Sequence, residues 1–410
     1  MKSDYIRWMA VILCASLSIF PSFGDSFTLQ IYGNANLDDV IDESDITYIQ
    51  DIIKGDKSST IFADVNRDGK VDQADADLTE KIIKDEEETI TLIDSANRTV
   101  SVEYPIKDMV SLSENSAEFI KILGAEDRLT GIVQNVADKT VFFPDICSLP
   151  VVKSGSTTDY EKVLSMHPKV AFSYEYNANE DAKKLEPHTT VIGLAFYKPK
   201  TMAQETAELG YLLGKEDEAY EFIDFYESYL KDIAEKEDTI PDNEKARVYF
   251  ERNDFVTAGN GSGTNEMCLM AGGKNIAESL GTSSSPTVDQ EWVIKENPDV
   301  MIKIVNHGNK YMGYEKDNDT SLVELRESLL NRTGALNINA VKNDRVFIMS
   351  DSIMTKASYF VGIAYFAKIF YPDLFMDLDP EKVHQEYLTR FQRLDYNLQE
   401  HGIFVYPEPA

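Results

Sequence analysis

Two short stretches near the start of the chain hold the residue types best suited to chemistry. Asn34, Asn36, Asp38, Asp42 and Asp45 form one set; Asp64, Asn66, Asp68, Asp72 and Asp75 form the other. Each set occupies positions 1, 3, 5, 9 and 12 of a twelve-residue loop. This is the EF-hand ligand spacing, in which a hard divalent cation collects six to eight oxygens at about 2.3–2.6 Å. Val40 and Lys70 fill position 7, where the backbone carbonyl ligates and the side chain is free to vary. The expected ion is Ca2+, one per loop. Gly69 supplies the turn at position 6 of the second loop, whereas Asp39 stands there in the first. With Asn34 also replacing an acid at position 1, the first loop is expected to bind more weakly.

The segment after each loop sharpens the reading. Ile46, Ile49, Ile52 and Ile53 after the first, and Leu78, Ile82 and Ile83 after the second, have helical spacing. Residues 27–32 read as extended and residues 58–62 as a turn, so no helix is expected before either loop. Residues 30–86 are therefore half an EF-hand, duplicated, and in loop, trailing helix and Asp at position 12 they resemble the dockerin module. That resemblance implies calcium-dependent docking to a cohesin-like surface protein. A module this small buries little core by itself, so calcium is expected to contribute to its folding.

Other chemistries find little support. The five histidines, His167, His188, His307, His384 and His401, are scattered, with no i, i+4 pair, which argues against a bare transition-metal site. The glycine-rich residues 259–263 lack the following Lys and Ser/Thr of a phosphate loop, and neither GxSxG nor HExxH occurs, so an enzyme is not expected. A net charge of −31 speaks against nucleic acid or an anionic membrane surface as partner. The acidic run at residues 85–88 reads as a solvated linker.

Residues 1–24 read as a signal peptide: Lys2 and Arg7 precede an apolar stretch, and Gly24 offers a small residue for cleavage. Cys14 lacks the small residues a lipobox would place before it. Export followed by an extracytoplasmic, cell-surface or periplasmic location is expected; Cys147 and Cys268 read as two free buried thiols, with a pairing in an oxidising compartment as the alternative.

From residue 89 onward the texture is α/β. Residues 89–93 and 99–102 flank turn residues as a hairpin. Strands are expected at 109–112, 129–133, 170–174 and 189–194, with helices at 116–123 and 160–166, a spacing that implies parallel βαβ units. A long helical stretch follows, 202–213 and then 216–233, with Ala219, Phe222, Ile223, Tyr226, Leu230 and Ile233 on one stripe. The alternation restarts with strands at 246–250, 300–304 and 345–349 and a helix at 266–270. The expected organisation is an α/β lobe at 89–214, a linking helix at 215–240 and a second α/β lobe at 245–406.

In that order the residues resemble periplasmic binding proteins for iron-siderophores and cobalamin. The resemblance rests on Val110-Ser-Leu-Ser113, Leu123-Gly-Ala-Glu-Asp-Arg128, Tyr160-Glu-Lys-Val-Leu-Ser-Met-His-Pro168, Ala271-Gly-Gly-Lys-Asn-Ile276, Glu291-Trp-Val-Ile-Lys-Glu-Asn-Pro-Asp-Val300 and Ala340-Val-Lys-Asn-Asp-Arg-Val346. It implies two lobes joined by a single helix that clamp a ferric chelate or corrinoid and deliver it, as a monomer, to an ABC importer. Glu161 and Glu291, which open helices at matching positions of the two lobes, would dock on arginines of the permease. Glu114 departs from the family, which often has proline there.

Open α/β sheets place ligands at the C-terminal ends of their strands. This selects Ser113, Glu114, Asn115, Ser156, Tyr174 and Tyr176 in the first lobe, and Arg252, Asn253 and the neighbourhood of Trp292 in the second. Tyr174 and Tyr176 would stack on a flat chelate, and Arg252 would hold an anionic group. The alternative is a surface scaffold that uses the dockerin-like module while its bilobed part no longer serves transport.

Overall fold

Each acidic loop runs directly into a helix, α1 (Glu43–Lys54) and α2 (Gln73–Ile83), because its last two acids form a capping box. Asp42 accepts from the Ser44 N–H at 2.6 Å while Asp45 accepts from the Asp42 N–H at 2.9 Å. Asp72 and Asp75 repeat the arrangement, with Ala74 and Asp72 as donors. The two helices close a small core around Ala35, Ile49, Ala63 and Ala76. Before the second loop there is only the 3-10 turn Ile61–Ala63. The computed structural model describes residues 27–409 apart from Thr282 and residues 306–310, so the expected signal peptide at 1–24 lies outside the described residues.

Strands β1 (Thr89–Ile93) and β2 (Thr99–Glu103) form the expected hairpin, with Ile90, Leu92, Val100 and Val102 turned inward. The N-terminal lobe is built on β3 (Met109–Ser111), β4 (Leu129–Val133), β5 (Val151–Ser154), β6 (Thr157–Thr158), β7 (Val170–Tyr174) and β8 (Thr190–Leu194). Their order is β6-β5-β4-β3-β7-β8, parallel except for β6. The helices are α3 (Glu114–Ile122), α4 (Gln134–Ala137), α5 (Tyr160–Met166), α6 (Glu175–Leu185) and α7 (Pro199–Leu213).

The linking helix α8 (Glu216–Glu237) buries the stripe read from the sequence. Phe222 meets Phe119 of the N-terminal lobe at 6.0 Å between ring centroids and Phe360 of the C-terminal lobe at 6.4 Å, so one aromatic side chain touches both. The second sheet comprises β9 (Arg247–Glu251), β10 (Lys274–Asn275), β11 (Val300–Val305), β12 (Val346–Ser350) and β13 (Val405–Tyr406), in the order β10-β9-β11-β12-β13. Around it lie α9 (Gly263–Met270), α10 (Gln290–Glu296), α11 (Thr320–Leu330), α12 (Asn339–Lys342), α13 (Tyr359–Phe370) and α14 (Pro380–Glu386). The chain is an α/β protein of two lobes joined by one long helix, as the sequence implies.

Two findings go beyond that expectation. The acidic residues 85–88, largely exposed, do not free the N-terminal module. Ile31 bridges Leu92, the Tyr32 N–H donates to Thr91 and the Ile93 N–H donates to Gln30, so residues 30–32 add to the hairpin. Leu29, Ile31, Ile41 and Ile82 share one apolar core with the lobes. Secondly, Tyr176 does not end a strand; it belongs to the first turn of α6.

Candidate functional site

Segments leaving the C-terminal ends of β3, β4, β11 and β12 enclose a cleft of about 420 Å3 between the lobes. Glu114, Glu118, Lys139 and Phe142 line it from one lobe, Tyr314 and Lys356 from the other. Glu114 is the first residue of α3 and only 5% exposed, and its carboxylate accepts from both Lys139 and Lys356. Burial pushes this carboxyl up, but Lys356 and Lys139 outweigh it and hold the group down at about 2. Burial works against the Lys356 ammonium, yet the Glu114 charge holds its pKa above the ordinary value. One turn along α3, Glu118 accepts from the Tyr387 hydroxyl at 2.6 Å, and burial pushes its carboxyl up.

The expected ligand residues divide into groups. Ser113 is the N-cap of α3, and its hydroxyl accepts from the Ser116 N–H at 3.0 Å. Asn115 donates to the Phe196 carbonyl and accepts from the Tyr174 hydroxyl, each at 3.0 Å. These two buried side chains therefore support the cleft from behind. Tyr174 and Tyr176 stack with centroids 5.1 Å apart, and Tyr197, which the sequence reading missed, meets both edge-on at 6.2 and 6.5 Å. Burial raises the Tyr174 hydroxyl, on which the Lys356 and Glu114 charges also act, so the aromatic group adjoins the ion cluster. Tyr176 is 65% exposed and offers an open ring face.

In the other lobe the expectation is corrected. Arg252 is outside the cleft lining; it donates to the Thr264 hydroxyl at 3.0 Å. Ser156 and Asn253 are exposed outside the lining, and Trp292 packs on the outer cluster with Val293 and Leu329. Among the described residues the histidines gather into no metal-holding group.

Residues 109–352 match the family model described as periplasmic binding protein. The chain belongs to this family. It is 26% identical over 298 residues to YvrC of Bacillus subtilis, an uncharacterized ABC transporter substrate-binding lipoprotein, covering 70% of this chain and 87% of the relative. A cobalamin-binding protein of Halobacterium salinarum is 26% identical over 222 residues, 52% of this chain and 58% of that protein. Among solved structures, the TroA-like periplasmic binding protein FepB from Veillonella parvula shares the fold with a TM-score of 0.65. It is 22% identical, over 77% of this chain and 98% of that one. The family is one of substrate-binding proteins of the periplasmic binding type, and the match begins at β3, after the acidic loops.

The two lobes of this chain repeat one surface feature. Helices α5 and α10 start at Asp159 and Asp289, whose carboxylates accept from the Lys162 and Trp292 N–H groups at 3.0 and 2.8 Å. They end at His167 and Asn297, both left-handed with φ of 53° and 46°. Glu161 and Glu291 occupy the second position of each helix and are exposed, where the N-terminal dipole favours a carboxylate.

The acidic loops present oxygens of the type a hard cation takes. In the first, Asn34 is fully buried and its amide donates to the Leu29 and Asp38 carbonyls at 2.8 and 2.7 Å. This fixes the amide and leaves its Oδ1 without a hydrogen-bond partner. Asp45 accepts from the Asn36 and Asp42 N–H groups, and burial pushes its carboxyl up to about 6. In the second loop Asp64 accepts from Asp68 and Gly69, Asp68 from Lys70, and Asp75 from Val65, Asn66 and Asp72. Gly69 has φ of 90°, a turn that suits glycine. Among the described residues no three His, Cys, Asp or Glu side chains converge as a ready metal cage; these acids are turned onto their own loop amides.

Proposed function

We propose that this protein is an extracytoplasmic receptor that carries a ferric chelate or a corrinoid to an ABC importer, docking on the permease through Glu161 and Glu291. The observation that carries the reading is the exposed acid repeated at the same helix position in both lobes, on either side of a cleft that opens at the strand ends. A two-fold permease would meet one carboxylate from each lobe, and exposed charges of this kind steer a basic partner. The stack of Tyr174 and the exposed Tyr176, with the Lys356 and Glu114 charges acting at its Tyr174 end, suits a flat chelate with a polar rim, and a cobalamin-binding relative supports the corrinoid end of that class. The experiment is an absorption spectrum and mass analysis of whatever co-purifies with protein taken from its native host. A corrinoid or ferric-chelate chromophore is expected; a colourless protein that binds neither class in titration would overturn the reading.

Residues 30–86 complete the proposal as a calcium-binding module, with Ca2+ held by Asn34, Asn36, Asp38, Val40, Asp42 and Asp45 in the first loop. Asp64, Asn66, Asp68, Lys70, Asp72 and Asp75 hold it in the second. The second loop, with the exposed Ile53 (44%) and Ile61 (59%) of the same module, is the face offered to a cohesin-like surface partner.

A further inference from the structure

The two acidic loops differ in what surrounds them. Residues 66–70 of the second face solvent, whereas the first is built into the receptor. Tyr220, on α8, donates its hydroxyl to the Asp39 carbonyl. The Ile41 N–H donates to the Tyr211 hydroxyl, on α7, at 2.9 Å in a buried bond. Between these anchors lies the carbonyl of Val40, the loop's only backbone ligand position by the EF-hand pattern. The Val40 carbonyl and the Ile41 N–H belong to one peptide group. The bond is trans, so the two point in opposite directions, and tying the N–H to Tyr211 turns the Val40 carbonyl away from the lobe. At position 1 of the same loop, the buried Asn34 Oδ1 has no partner.

We propose that Tyr211 and Tyr220 are positioning residues for a divalent cation in the first loop, and that this site and the lobe-joining helices stabilise one another. The inference rests on the calcium reading of the loops. By linkage, whatever α7 and α8 contribute to holding residues 39–41 in the liganded shape, the bound ion returns as stability of those helices. Among the described residues no such hydrogen bond ties the second loop to the lobes, so its binding step is expected to be independent of the two tyrosines. Calcium therefore stabilises the receptor itself and not only the module.

The test is calorimetric titration of the full-length mature protein with CaCl2, together with thermal unfolding in CaCl2 and in chelator. The variants are Tyr211→Phe, Tyr220→Phe and the pair, which keep the rings and remove only the hydroxyls. Asp64→Ala, which disables the second loop, assigns the binding steps. Two steps are expected in the parent, one of them weakened roughly fivefold or more in the paired variant, and still present and still tyrosine-dependent in Asp64→Ala. Calcium should raise the melting temperature of the lobes in the parent and raise it less in the paired variant. Two steps of parental affinity in a folded paired variant would overturn this inference alone. No binding step in the parent would overturn the calcium reading, and the inference with it.

Discussion

Lys356 of the C-terminal lobe donates to the carboxylate of Glu114, the first residue of α3 in the N-terminal lobe, so an ion pair spans the cleft from one lobe to the other. A ligand larger than the cleft must stretch or replace this bond.

Replacing Glu114 by Gln leaves Lys139 and Lys356 without their shared counter-charge. The carboxyl is held at about 2 against an ordinary 4.5, so its contribution is present above pH 4.5 and lost as pH falls toward 2. Urea unfolding at pH 7 should show a loss of about 3–4 kcal/mol for Glu114→Gln. Pairing it with Lys356→Met should recover part of that loss. Equal stability of the single variant and the parent would show that the pair is electrostatically idle.

For the docking surface, Glu161→Arg combined with Glu291→Arg should abolish uptake in cells while leaving ligand affinity and melting temperature unchanged, since both side chains are exposed. Normal uptake by the double variant would remove the permease assignment.

Glu208 on α7 is fully buried, accepts from the Gln30 N–H and the Gln204 amide, and burial pushes its carboxyl up to about 8. A raised carboxyl is stabilising in its protonated form. Its contribution is complete below pH 4.5 and declines as pH rises through 8. Glu208→Gln should therefore flatten the fall in melting temperature between pH 5 and pH 9, the two curves separating most at the alkaline end.

The aromatic group makes a ligand prediction that stability cannot mimic. Tyr176 is mostly exposed, so Tyr176→Ala should change melting little but weaken binding of a flat chelate by roughly five- to tenfold, the scale of one stacking contact. Unaltered affinity in a fluorescence-quenching titration would place the ligand away from this aromatic group, which lies outside the residues lining the cleft.

The sequence was informative where chemistry repeats on a fixed spacing. The helices that follow the two acidic loops, helix α5 and strands β4 and β7 were all legible because the apolar period and the flanking turn residues coincide, whereas the capping role of Asp42 and Asp72 was not read. Helix α13 was not: Tyr359–Phe370 is buried almost all round, so it carries no amphipathic contrast to read. The cleft was half legible. Glu114 stood out as a departure from the family, but Lys139, just past the short helix α4, and Lys356, opening a single 3-10 turn, sit where spacing carries no signal. Arg252 was read as an anion handle from its place after a strand, but that place does not fix which way a long side chain turns; it donates to Thr264 and lies outside the residues lining the cleft.

The addition of residues 30–32 to the hairpin has a mechanical consequence. A module hung on a flexible string would let the receptor tumble around its point of attachment. Stitched into the hairpin and seated on α7 and α8, it becomes a handle cast in one piece with the cup. A partner that grips the second loop would set the bearing of the whole vessel, its mouth and both acidic feet included.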